Sequence, residues 1–220
     1  MVKVNVNNEI KTLKKVMLHR PGEELLNLTP FLLEELLFDD IPDLAKAQAE
    51  HDDFAKILRD NGAEVVYLED LMAETLDANE GLRDKFLVQY LKEANIKNEN
   101  LYKESEALLK SIKDTKTFVE KTMSGITLKE IGGFKNIDKI VSNEAYTAIY
   151  PMPNLYFTRD PFSSIANGVS INCMHTVTRR RETIYADYIF KLRFPDIIIT
   201  LISKLCNKYC KKSQSFTRFF

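Results

Sequence analysis

The string Met152-Pro153-Asn154-Leu155-Tyr156-Phe157-Thr158-Arg159-Asp160-Pro161-Phe162 sets a carboxylate where chemistry is most easily done. A short apolar and aromatic run ends in an Arg-Asp pair and is stopped at once by proline. The residue before a proline is pushed toward extended backbone, so the chain turns away at Asp160. A carboxylate at a strand end, where loops begin, meets ligands more readily than it meets a core. Its natural partner is a planar cation, because a guanidinium presents a fork of N–H donors that a carboxylate accepts in pairs. By spacing alone the pair also fits an ordinary strand end facing water. Arg159, next along the strand, points to the face opposite Asp160 and is expected to form a structural ion pair.

A second concentration of charge is Thr178-Arg179-Arg180-Arg181-Glu182-Thr183. Arg180 and Arg181 read as surface residues at a helix N-terminus, an unfavourable place for cations beside the helix dipole. The remaining reactive residue types are sparse. Cys173 ends a predicted strand and reads as a small core or edge residue. Cys206 and Cys210 lie four apart with no histidine nearby to complete a tetrahedral metal set, so no metal is expected. Three cysteines make no disulfide framework, and a reducing cytoplasm is the default. His19, His51 and His175 sit in a strand and turn, in a helix and after a hairpin, and none is promoted to a general acid.

These residues need elements to hold them. Leu13 to His19 reads as a strand ending at the Arg20-Pro21-Gly22 turn. Asp43 can cap a helix whose apolar positions Leu44, Ala47, Phe54 and Leu58 share a face. Asn61-Gly62 stops that helix and Glu64 to Leu68 follows as a strand, giving an α/β signature. From about Asp70 to about Ile140 the spacing turns helical, with Thr127-Leu128-Lys129-Glu130 as a capping box opening a short helix that Gly132-Gly133 ends. Residues 70–140 therefore form a helical insertion between residues 1–69 and 141–196. Asn167-Gly168 between two β-prone runs predicts a hairpin. Arg181 to Lys191 reads as a helix with Ile184, Tyr188 and Lys191 on one face.

The chain of 220 residues carries 31 Lys+Arg against 32 Asp+Glu, a formal net charge of -1. No global basic field draws it to nucleic acid or anionic lipid. No run reaches the ~20 apolar residues that span a bilayer, and the N-terminus has no apolar signal region. Residues 197–220 differ in kind, with five basic residues after Asp196 and no acidic one. They read as a frameshifted or otherwise replaced terminus, or as a basic tail for a partner.

The Asp160 string resembles the segment of arginine deiminases that carries the guanidinium-binding aspartate. Leu13 to Gly22 resembles the family's opening strand and turn. Glu35-Leu36-Leu37-Phe38-Asp39-Asp40 and Thr178 to Thr183 resemble its next markers, in family order. The resemblance implies a five-bladed α/β propeller of ββαβ units, of which this chain would supply the first unit, a helical insertion and the start of the second. It implies hydrolysis of L-arginine to L-citrulline and ammonia, with no cofactor. The covalent route is attack by a cysteine thiolate on the guanidinium carbon, with a histidine as acid and then base.

Carried over position by position, the resemblance makes Asp160 the guanidinium-binding residue. Asn154 and Arg179 grip the α-carboxylate end, and Phe157 lines the pocket, with Leu37 and Asp40 near it. The family's catalytic histidine and cysteine lie beyond the last matching string, and His51-Asp52-Asp53 resembles the catalytic His-x-Asp string at the wrong position. The expectation is an arginine deiminase by descent that is inactive alone. The alternative is a non-catalytic arginine-binding module or one that associates with full-length subunits. Intact deiminases commonly assemble, so a homo-oligomer is also expected.

Overall fold

The computed structural model describes residues 4–132, 147–194 and 198–201, in two units, residues 13–156 and residues 4–12 with those from 157 onward. In the first unit β1 (Lys15–Leu18) lies parallel to β2 (Glu64–Tyr67), with Val16 opposite Val65. A parallel pair needs a crossover, and α2 (Leu44–Asp60) supplies it. The Asp43 carboxylate caps that helix by accepting from the Lys46 N–H at 2.7 Å. Gly62, at φ +83°, ends it in a backbone conformation that costs glycine little.

The buried stripe of α2 differs from the sequence expectation. Ala55 is fully covered while Phe54 is 51% exposed. Leu44, Ala47, His51, Ala55 and Leu58 fall three or four apart and are covered to some degree, so the small Ala55 marks the covered side and Phe54 falls outside it.

Between the strands, α1 (Leu33–Leu36) follows a 3-10 turn at Pro30–Leu32. Leu25, Leu28, Leu32 and Leu36 form one buried cluster, against which Phe38, Leu44, Ala47 and Tyr150 pack. Four helices then fill the predicted insertion: α3 (Leu68–Asp77), α4 (Leu82–Glu93), α5 (Glu99–Ser111) and α6 (Thr115–Ser124). Phe86, Tyr90, Phe118 and Met72 are fully buried among them. Each such side chain contributes about 1.5–3 kcal/mol by leaving water. The Tyr90 hydroxyl donates to the Thr122 carbonyl at 2.9 Å, so its burial leaves no unpaired proton.

The capping-box expectation at Thr127 is corrected. Thr127 N–H and its hydroxyl both donate to Glu130 at 2.8 Å, but the described residues continue as turns. Thr127 instead ends β3 (Ile126–Thr127), which pairs antiparallel with β4 (Thr147–Ile149). The bond from Thr127 N–H to Glu130 is half of a capping box, but residues 128–132 form turns, not a helix. Gly125, at φ +75°, allows the approach: a Cβ there would sit 2.5 Å from the Ile149 carbonyl oxygen. The predicted stop at Gly133 lies outside the described residues.

In the second unit β5 (Phe162–Ile165) and β6 (Gly168–Ile171) form the expected hairpin. Its loop is Ala166-Asn167, one residue earlier than expected, because Gly168 pairs with Ile165 and Ala166 takes φ +51°. Val6 bridges Ala166 through two hydrogen bonds of 2.8 Å. A 3-10 turn, Val177–Glu182, leads into α7 (Thr183–Arg193). The buried face of α7 is Ile184, Tyr185, Ala186, Ile189 and Phe190, so Tyr188 and Lys191 are not its centre. Lys191 instead pairs with Asp187 one turn back, a solvent-side contact. β7 (Ile198–Leu201) runs parallel to β6, so the first residues of the predicted atypical tail belong to a sheet. No helix among the described residues is long and apolar enough to cross a membrane.

Candidate functional site

Asp160 stands not at the end of a strand, as expected, but in a turn between a 3-10 helix at Pro153–Tyr156 and β5, held by its own backbone. Its N–H donates to the Phe157 carbonyl at 2.9 Å, closing a tight turn through Thr158 and Arg159. Asn172, just past β6, donates its side-chain amide to the Asp160 carbonyl at 2.8 Å and its backbone N–H to the Pro161 carbonyl at 2.9 Å. The peptide at the proline is thereby fixed from both sides. The Asp160 side chain remains 45% exposed.

Arg179 comes from the 3-10 turn, whose three-residue period sets Glu182 on the same side. Its Nε donates to both Glu182 carboxylate oxygens, at 3.0 and 3.1 Å, and its Nη2 donates to Oε2 at 2.9 Å. The same Nη2 donates to Asp160 Oδ2 at 3.0 Å. Burial pushes the Glu182 carboxyl above its ordinary range, and the Arg179 guanidinium opposes that. Burial works against the Arg179 charge too, but the two carboxylates outweigh it and hold the guanidinium charged. The result is an arginine locked by one enclosed acid and shared with a second, open one.

Residues expected at opposite ends of one ligand are therefore in direct contact. Arg181, expected on the surface, is 8% exposed, close enough to Glu182 for its charge to draw that carboxyl down. Arg180 is exposed and donates to the Met174 carbonyl. Arg159 makes its expected ion pair, with Glu9. Phe157 is 47% exposed at the start of the turn.

Asn154 belongs to the other unit. It sits in a buried 3-10 turn, Pro153–Tyr156, and its amide donates to the Leu36 carbonyl at 2.7 Å. Two sequence markers 118 residues apart thus meet at the C-terminal end of α1. That end needs a donor, since the last carbonyls of a helix have no partner within it. Leu37 follows in left-handed backbone at φ +62° and is 58% exposed, and Asp40 accepts from the Ile41 N–H.

Sequence reasoning missed Glu182, although its spacing of three from Arg179 was the available signal. It also missed a buried cluster at the end of β1: His19 Nδ1 lies 2.9 Å from Glu69 and its Nε2 3.0 Å from Glu24. His51 is half-buried with its ring 6.0 Å from that of Tyr67, and burial pushes its imidazole below the ordinary range. Cys173 is half-buried and His175 exposed, while Cys206 and Cys210 lie outside the described residues. Among the described residues, no three of His, Cys, Asp and Glu are grouped to hold a metal ion.

By fold this is a mixed α/β protein whose candidate site joins a buried Arg179–Glu182 pair to a half-exposed Asp160. Comparison with known proteins sharpens that. A family model described as arginine deiminase matches residues 34–215. Among curated proteins, the arginine deiminase of Treponema denticola is 56% identical over 193 residues. Those of Streptococcus sanguinis and Streptococcus pneumoniae are 53% and 54% identical over 192 residues. Each alignment covers 86% of this chain and 47% of the relative. The chain belongs to the arginine deiminase family, and it spans about half the length of the curated relatives it matches.

Proposed function

We propose that this chain carries the substrate-recognition part of an arginine deiminase, which hydrolyses L-arginine to L-citrulline and ammonia in the cytoplasm. The observation that carries the reading is Asp160, half open to solvent and already bound to a guanidinium, that of Arg179. A substrate guanidinium offers the same planar fork of donors. Substrate binding is then an exchange: Asp160 gives up the Arg179 Nη2 and takes the substrate's guanidinium. Glu182 keeps Arg179 in place, and the freed face of its guanidinium receives the substrate's α-carboxylate. The family resemblance assigns substrate contacts to Phe157 and, in the other unit, to Asn154, and the chain is read as part of a five-bladed α/β propeller. Family membership, together with the parallel β1–α2–β2 unit and the helical stretch after it, supports that reading.

The three cysteines of these 220 residues lie at Cys173, Cys206 and Cys210, and none stands in a Gly-rich context. Binding groups without a nucleophile cannot attack a guanidinium carbon, so turnover by these residues alone is expected to be negligible. The test is citrulline production by the purified 220-residue chain, beside the same chain joined to the downstream half of a relative. Activity should appear only in the joined form and fall by at least ~100-fold with Asp160→Asn, the scale expected for losing a charged contact to the reacting group. Turnover by the short chain, or full activity of the joined Asp160→Asn form, would overturn the reading.

A second reading is association with a full-length subunit or with a second copy of this chain. Leu26, Phe31 and Leu37 favour it, at 63%, 57% and 58% exposure within one short segment. A contiguous exposed apolar patch would mark a contact surface, and these three side chains are its candidates.

A further inference from the structure

His19 is 3% exposed and closes β1, and both its ring nitrogens face carboxylates. A neutral imidazole has one N–H and one lone pair, so it cannot donate to two ionised carboxylates. Two such contacts, at 2.9 and 3.0 Å, call for a doubly protonated ring or for a proton on one glutamate. Glu69 stands in the first turn of α3, where the helix dipole favours a negative charge. Glu24 also accepts from the Gly22 N–H at 2.6 Å. Each carboxylate thus also faces an N–H donor or a positive helix end, and the two contacts to the ring are met by an imidazolium that donates from both nitrogens.

The cluster ties three separate pieces of chain together. His19 brings β1, Glu69 brings α3, and Glu24 brings the turn after Pro21. That turn is fixed elsewhere by Gln48 donating to the Pro21 carbonyl at 2.9 Å and Asn27 donating to the Ser124 carbonyl at 2.7 Å. It carries Leu25 and Leu28, the first members of the leucine cluster that ends at Leu36. Leu36 is the residue whose carbonyl Asn154 binds. We infer that His19 is a positioning residue: as an imidazolium clamped by Glu24 and Glu69 it sets the turn, and through the leucine cluster the Leu36 carbonyl that orients Asn154. This rests on the proposed place of Asn154 in the site.

Other charges reach the clamp from each packed element. His51 on α2 lies within range of the His19 charge, and Arg20, bound by Asp52 of α2 in a bidentate pair of 2.8 Å bonds, lies within range of Glu69. Glu69 is also within range of Lys116 and Glu120 on α6. Burial alone would push the His19 ring down, but Glu24 and Glu69 outweigh it and hold the ring up at about 10. With the folded value above the ordinary 6.5, the clamp's stabilisation is complete below pH 6.5 and is lost as pH rises toward about 10.

The experiment follows the His19 ring and the Asn154 side-chain amide by NMR in the 220-residue chain from pH 5.5 to 10.5. His19 should keep both ring protons past pH 8, and the Asn154 amide resonances should shift with the same midpoint as the ring. In His19→Gln the Asn154 resonances should sit at their high-pH positions at every pH. A Leu109→Ala variant, destabilised in the helical region, should leave them unmoved. A ring that titrates near 6.5, or Asn154 resonances indifferent to the ring's titration, would overturn the proposal. The wild-type titration decides this even where His19→Gln does not fold. No arm requires arginine binding, so failure here is distinct from failure of the deiminase reading.

Discussion

Replacing Glu182 by Gln isolates what holds Arg179. The glutamate is 2% exposed and takes three hydrogen bonds from Arg179, which is itself 8% exposed. Removing one partner of a buried pair costs about 3–5 kcal/mol, because a charge is left without compensation. Two features lower that figure here. Asp160 still accepts from Arg179 at 3.0 Å, and glutamine retains one carbonyl acceptor. Asp160 is 45% exposed, however, and water screens its contribution. The expected loss is about 2–3 kcal/mol, a fall of roughly 30- to 150-fold in the folded-to-unfolded ratio. Urea unfolding of the 220-residue chain at pH 7 measures it, provided the slope with denaturant stays that of the parent. Removing both charges as Arg179→Met with Glu182→Leu should recover part of the loss, since neither member of the buried pair is left alone; Asp160, 45% exposed, turns to water, while Arg181 loses the nearby Glu182 charge. A loss below about 0.5 kcal/mol in Glu182→Gln, in the range of ordinary surface changes, would refute the claim that Glu182 fixes Arg179.

Gly125→Ala should cost about 3 kcal/mol or more, as both the φ of +75° and the 2.5 Å approach to the Ile149 carbonyl oppose a methyl group; Gly62→Ala, at φ +83° with open space around it, should cost about 1 kcal/mol. Thermal unfolding of the two variants separates strain alone from strain with a clash, and equal losses would discount the contact. Asn154→Ala should cost about 1–3 kcal/mol by leaving the Leu36 carbonyl buried and unpaired, read as a drop in urea midpoint, and a neutral effect would remove its structural role.

Composition and spacing carried much of this protein. The strand–helix–strand opening, the Asp43 cap, the Asn61-Gly62 stop, the helical character after β2 and the β5–β6 hairpin, though not its turn residues, all rest on local chemistry. Capping, positive φ and hydrophobic period act over a few residues, so the amino-acid order alone reveals them. Asp160 and Arg179 stand out for a different reason: the strings around them resemble markers of the arginine deiminase family.

What the order of residues could not decide lies in contacts between distant segments. Ala55 rather than Phe54 is covered on α2, and Thr127 ends a strand paired with residues 147–149 and is followed by turns instead of the helix its spacing to Glu130 announces. His19, Glu24 and Glu69 look like ordinary surface types and become one buried cluster only when β1, the following turn and α3 meet. Arg179 and Asp160, nineteen residues apart, were assigned to opposite ends of a ligand, and the folded chain sets them 3.0 Å from each other. A charged side chain is stable in the interior only beside its counter-charge, and which counter-charge is at hand is fixed by tertiary packing.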